Sequence, residues 1–193
     1  MGRPKQFDPD TAVARAMDVF WRDGYAATTP QALADEMGIA KGSLYHAFGS
    51  KRALFVRALR QYGDTHAAEL AELLHHQAVP VRERLRLALE TLIRVDFVVT
   101  DRRGCFAVNT ATQCAGLDDE AAAIVREMFD RTEGAFRHAI EEGQRTGELD
   151  PARDPRATAS LLLNTVVGMR VLARTAEGPE QLHRVVGAAL AAV

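Results

Sequence analysis

The sequence predicts an all-α protein: a small three-helix unit, a long connecting helix, and a bundle of five or so further helices, about nine in all. Three observations lead there. Apolar residues recur at helical spacing nearly throughout, and no alternating run bounded by hairpin turns stands out. The breaks in that spacing fall on helix punctuation: Gly24, Gly38, Gly49, Pro80 and Asp154-Pro155. The chain has 193 residues, 47% apolar and 26% charged, enough to pack a core in one domain or two small ones.

The first helix is expected to start at Asp8 or Asp10, either of which can cap it. It presents Val13, Met17 and Phe20 on one face and stops at Gly24. Thr29 then caps a short second helix. Pro30 takes its first position, where the missing N–H is no loss, and Gly38 ends it. A third short helix fits residues 41–47, and Ser50 caps the fourth, expected over 51–77. At 1.5 Å per residue that helix is about 40 Å long, enough to pass from one domain into another. Gly63, inside it, is a candidate soft point. Pro80 opens a fifth helix to about residue 99, and Gly104 begins a shorter segment to about 113. Residues 118–142 fit a seventh helix. Asp154-Pro155 starts an eighth that runs toward Gly178, and Pro179 opens a ninth. The expected division is a unit of residues 1–50 and a unit of residues 51–193, with helix 51–77 as the connector.

No apolar run approaches the roughly 18 residues that span a bilayer, so no membrane association is expected. The first residues lack the apolar core of a secretory signal. Cys105 and Cys114 are too few for a disulfide framework, and no Cys/His spacing suits a metal. The reading is a soluble, cytoplasmic chain without metal or cofactor. No catalytic triad order, phosphate-cradling glycine loop or zinc-protease helix argues for an enzyme. Charge is more telling. The net charge is −2, yet residues 37–63 contain no acid and carry Lys41, Lys51, Arg52, Arg57 and Arg60. A single-sign segment of this kind points to a polyanion partner or to a solvated basic face.

The second and third helices, joined by Met37-Gly38-Ile39, have helix-turn-helix dimensions. The second helix of such a pair enters the DNA major groove. Here Leu44 points inward and Phe48 closes the core behind it, which leaves Lys41, Ser43, Tyr45 and His46 outside. Gly42 and Ser43 are small enough to let the backbone approach base edges.

The longer string is more specific. Gly24-Tyr25-Ala26-Ala27-Thr28-Thr29-Pro30-Gln31-Ala32-Leu33-Ala34, then Gly38-Ile39-Ala40-Lys41-Gly42-Ser43-Leu44-Tyr45-His46-Ala47-Phe48-Gly49-Ser50-Lys51 and on to Leu54-Phe55, resembles the DNA-binding domain of TetR-family transcriptional regulators. The resemblance covers about the first 60 residues without a gap. It implies an all-helical homodimer whose first three helices bind double-stranded operator DNA, with the rest forming a ligand-binding and dimerisation domain. The implied role is a ligand-responsive regulator, a repressor released from a palindromic operator by a small, mostly apolar effector. A constitutive helical DNA-binding protein without a ligand is the alternative. Carried over, Thr29 would touch a phosphate from the start of the second helix, and Gln31 beside it would also be a DNA-binding residue. Lys41, Gly42, Ser43, Tyr45 and His46 lie in or beside the groove, and Lys51 meets a backbone phosphate. Arg3 and Lys5 would form a short basic arm. Two residues depart from the family pattern. Ala40 replaces the usual Ser or Thr cap, at about 0.5–2 kcal/mol of local stability. Arg52 stands where an acid is common.

Beyond residue 60 the resemblance fades, although Arg103-Gly104-Cys105-Phe106-Ala107-Val108-Asn109 is similar to a sixth-helix segment of one broad subgroup. The eighth helix is apolar on most sides, and the ninth repeats that character. Meeting their copies, they would form an isologous interface with Leu161, Thr165, Gly168, Leu172, Leu182 and Val186 at its centre. Large or polar residues within apolar stretches mark a candidate ligand pocket: Tyr62, His66, Phe97, Phe106, Asn109, Gln113, Met128, Phe129, Phe136 and Asn164.

Overall fold

A computed structural model of the chain describes residues 8–76, 78–99, 102–114, 116 and 118–193; Arg3 and Lys5 lie outside this set. Among the described residues, nine α-helices and one π-helical turn make up the regular structure, and no strand occurs.

Helix α1 (Pro9–Asp23) starts at Asp8, whose carboxylate accepts from the N–H of Thr11 at 3.0 Å. Helix α2 (Pro30–Met37) is capped by Thr29, whose hydroxyl accepts from the Ala32 N–H at 3.1 Å. Gly38 ends it in the left-handed region, φ 67° and ψ 32°, where a Cβ would be strained. Helix α3 (Lys41–Phe48) begins three residues later, and Ala40 gives it no side-chain cap. Ser50 caps α4 (Lys51–His75) through the Ala53 N–H at 3.0 Å.

Helix α5 (Val81–Arg94) is shorter than its periodicity suggests. It passes into a π-helical turn, Val95–Val99, rather than continuing as α-helix. A π turn holds an extra residue and so rotates the side chains after it relative to those before; here Asp96 is 1% exposed while Val98 is 77% exposed. Helix α6 (Phe106–Cys114) and helix α7 (Asp119–Thr146) come next, α7 running one turn past its expected end to a left-handed Gly147. Helix α8 (Pro155–Leu172) stops six residues before Gly178, because the N–H groups of Arg174 and Thr175 bond three residues back and tighten the chain into turns. Helix α9 (Glu180–Ala191) closes the fold.

Two hydrophobic cores result. The first joins α1, α2, α3 and the front half of α4 to Phe106, Ala107 and Cys114 of α6 and to Ile124, Val125 and Met128 of α7. A division at residue 50 therefore cuts through a continuous core: Trp21 of α1 packs on Tyr62 of α4 at 5.2 Å between ring centroids. The second core holds α5, the back half of α7, α8, α9 and Leu74.

Helices α8 and α9 divide their apolar residues differently from the expectation. Leu182 and Val186, at 0% and 2% exposure, belong to the second core and cannot face a second copy. On α8 the outward side carries Leu161 (45% exposed), Gly168 and Leu172, with Thr165 half-buried beside them. Val171, 48% exposed, extends this face and was missed because a helix apolar all round gives no phase to read.

Candidate nucleic-acid interface and effector cavity

The recognition face is α3. Leu44 and Phe48 are buried beneath it, and this fixes its rotation. Lys41, Gly42, Ser43, Tyr45 and His46 are consequently all exposed on its outer side, Tyr45 at 42%. Gln31 is also exposed, its amide donating to Asp35 at 2.8 Å, and Thr29 sits at the α2 cap beside it. Lys51 differs from a free phosphate clamp. Its Nζ donates to the Thr28 carbonyl at 2.7 Å and lies 4.3 Å from the Tyr25 ring centre. Burial there lowers its pKa. Lys51 thus fastens the loop that delivers Thr29.

Arg52 is spoken for as well. Its guanidinium donates twice to Asp118, at 2.7 and 2.8 Å, and lies 3.0 Å from Glu120. The Asp118 hydrogen bond raises its already high pKa, and Arg52 in turn lowers that of Asp118. Asp118 is also the cap of α7, accepting from the Ala121 N–H at 3.0 Å. The first turn of α4 and the start of α7 are therefore tied together next to the recognition helix.

Behind this head lies a cavity of about 130 Å³ between α4, α5, α6, α7 and α8. Leu70, Leu92, Val95, Val108, Leu163 and Val166 give it an apolar wall. Of the sequence candidates, Tyr62, His66, Met128 and Phe129 line it. The others lie elsewhere, each for a packing reason. Phe106 belongs to the first core, and Phe136, fully buried, to the second. Phe97 packs against the second core under Arg102, 5.1 Å away. Asn109 is held between the Arg103 carbonyl at 2.9 Å and Arg174 at 3.2 Å. The Gln113 amide is exposed and lies over Gly24. Asn164 is exposed and donates to its own helix at Ser160.

Sequence reasoning missed Thr91, Cys105, Thr132 and Arg170 in this wall. Arg170, 5% exposed, lies 3.0 Å from Asp96 and donates to the Gly104 carbonyl at 2.9 Å. Asp96 Oδ1 accepts no well-aligned hydrogen bond even so, and burial pushes its carboxyl up to about 6. Tyr62 donates to the Cys105 sulfur at 3.3 Å and accepts from the Phe106 N–H at 3.3 Å; burial raises its pKa well above the ordinary value. Asp96 lies in the π turn, a feature that periodicity does not reveal. Two cavity residues reach the head: the Tyr62 and His66 rings lie 5.2 and 6.0 Å from the ring of Trp21. Among the described residues no cluster suited to a metal occurs, and no helix is long and apolar enough to cross a membrane.

A short helix of small, polar and basic residues, held outward by a three-helix head in a segment without acids, defines a DNA-binding transcriptional regulator. The chain belongs to the TetR family of bacterial regulatory proteins: that family's model matches residues 12–58, and the tetracyclin repressor-like C-terminal domain matches residues 81–189. The HTH-type transcriptional repressor ComR of Escherichia coli K12 is 29% identical over 189 residues, covering 98% of this chain and 90% of that one. The repressor BdcR of the same strain is 40% identical over 93 residues, 48% of this chain and 47% of its own. Among solved structures, a cysteine-substituted TetR-family regulator CifR in complex with 26-base-pair operator DNA superposes with a TM-score of 0.82 at 32% identity over 99% of both chains. Reduced NemR of E. coli shares the fold, with a TM-score of 0.86 at 19% identity over 93% of both chains.

Proposed function

We propose that the chain is a repressor that grips a palindromic operator as a homodimer and lets go when a small, mostly apolar molecule enters the cavity. The observation that carries this reading is the cavity itself. It is apolar and ligand-sized, and two of its wall residues touch Trp21 in the helix that backs the recognition unit. Supporting the dimer is the exposed α8 stripe of Leu161, Gly168, Val171 and Leu172. Such a face on two copies is self-complementary under twofold symmetry. Lys41, Gly42, Ser43, Tyr45 and His46 would read the groove, with Thr29 and Gln31 at the backbone. A ligand that fits only one arrangement of α4 and α7 would lower DNA affinity by its differential binding energy.

The test begins with a duplex selected by the protein from a randomised pool. The selected sequence should have dyad symmetry, with half-sites about 34–36 Å apart. Affinity should fall steeply with salt. Small neutral molecules that alter Trp21 emission should then release the labelled duplex. A constitutive binder would hold the duplex unchanged whenever the cavity was filled.

A further inference from the structure

Granted that the cavity is the effector site, its charge balance and size restrict what it accepts. The charged and titratable side chains on its wall are engaged with one another or with a neighbour. His66 meets Glu69 at 2.9 Å, and Arg170 meets Asp96 at 3.0 Å. The neutral polar groups are mostly engaged too: Tyr62 with Cys105 and the Phe106 N–H, Thr132 with the Met128 carbonyl at 3.0 Å. Thr91 is different. It lines the cavity, and its hydroxyl bonds to no other described group.

A carboxylate entering this space would leave water and find no unpaired cation, because Arg170 is already matched. About 130 Å³ holds only part of a long acyl chain and would leave the rest in water on the cavity's open side. An apolar cavity of about 150 Å³ accepts benzene, so the space here suits a single ring.

We propose that the cavity takes one neutral, compact molecule, an aromatic ring or short branched aliphatic of about six to ten non-hydrogen atoms, whose single hydroxyl or carbonyl bonds to Thr91. The bond supplies orientation, and the apolar wall supplies most of the affinity.

The experiment uses the full-length protein and four probes: benzyl alcohol, toluene, benzoate and n-decanol. Trp21, the chain's single tryptophan, reports binding through Tyr62 and His66. Thermal unfolding gives a second readout, since a ligand of the folded state raises Tm. Benzyl alcohol should change Trp21 emission saturably and bind at least tenfold more tightly than benzoate or n-decanol. The isosteric Thr91→Val should weaken benzyl alcohol about two- to tenfold, the worth of one hydrogen bond, and leave toluene unchanged. Equal or tighter binding of benzoate or n-decanol overturns the proposal. So does the absence of saturable binding by any probe, or a Thr91→Val protein that binds benzyl alcohol as wild type does. The operator complex separates this inference from the reading beneath it. Benzyl alcohol that binds through Thr91 yet leaves the duplex bound supports the ligand class and sinks the effector role. Release by benzoate or n-decanol alone keeps the effector role and sinks the ligand class.

Discussion

Asp96 is ionised only at a free-energy cost. It is 1% exposed, and burial lifts its pKa from 3.8 to about 6 despite Arg170. An acid whose folded pKa lies above its unfolded one destabilises the fold when charged. Its contribution therefore improves as pH falls through 6 toward 4. Between pH 7.5 and 5, wild type should gain about 1–2 kcal/mol relative to Asp96→Asn, whatever the variant's baseline. Urea melts of both proteins at the two pH values measure this, and a constant difference would contradict the assigned burial. Asp118 and Glu142, whose pKa values are lowered by Arg52 and Arg84, act with the opposite sign at lower pH. At the DNA face two lysines of similar sequence promise have different surroundings. Lys41 is exposed, while Lys51 is bound to the Thr28 carbonyl. Lys41→Ala should lower the salt slope of DNA binding by about one. Lys51→Met should leave the slope nearly unchanged and lower stability by about 1–2 kcal/mol. Equal slope changes in both would return Lys51 to the phosphates. The outward set on α3 was legible because Leu44 and Phe48 fix the rotation of so short a helix. The engagement of Lys51 was not, since it depends on where the loop at Thr28 returns.

At the level of elements, α4 and α7 form the pair that unites cavity and head. Gly63 sits where they touch. A Cβ there would lie 2.8 Å from Met128 Cε and 3.0 Å from its Cγ. The Gly63 carbonyl also accepts from Arg131 of α7 at 2.8 Å. The glycine therefore serves close approach between helices more directly than it serves as a soft point. The two roles predict opposite signs for Gly63→Ala. A hinge alone gains helix propensity, roughly 0.5–1 kcal/mol. Overpacking loses about 1–3 kcal/mol, so the net expected change is a loss of about 1 kcal/mol. A higher urea midpoint for the variant would favour the hinge. Helix starts were readable throughout this region because Asp8, Thr29, Ser50, Asp118 and Asp154 all cap as their chemistry requires. Ends were less so. The π turn after α5 and the early stop of α8 arise from tertiary contacts and turn bonds, to which periodicity is blind.

For the whole molecule, the proposed dimer requires one apolar surface left open on the protomer. Leu161 is 45% exposed and Val186 is 2% exposed, although both looked alike as apolar residues of the last two helices. Leu161→Asp should split the dimer and leave the protomer folded. Val186→Asp should instead unfold the protomer, because it buries an unpaired charge in the second core. Sedimentation with circular dichroism separates these outcomes; a folded, dimeric Leu161→Asp protein would remove α8 from the interface. The cavity was only partly legible for a related reason. Tyr62, His66, Met128 and Phe129 stand out in sequence, but the inward side of α8 is known only once the outward one is. The claim that a molecule entering this cavity controls DNA is tested most directly by narrowing it from α8, away from the α4–α7 pair, so that the molecule is kept out. Val167, in its wall, is half-buried and can carry a larger side chain into the space. The decisive measurement is the anisotropy of a labelled operator with wild type and with Val167→Phe, titrated with a molecule that releases the wild type. The account predicts that Val167→Phe binds the operator within about twofold of wild type and is no longer released. Release of Val167→Phe at the same concentration would contradict it.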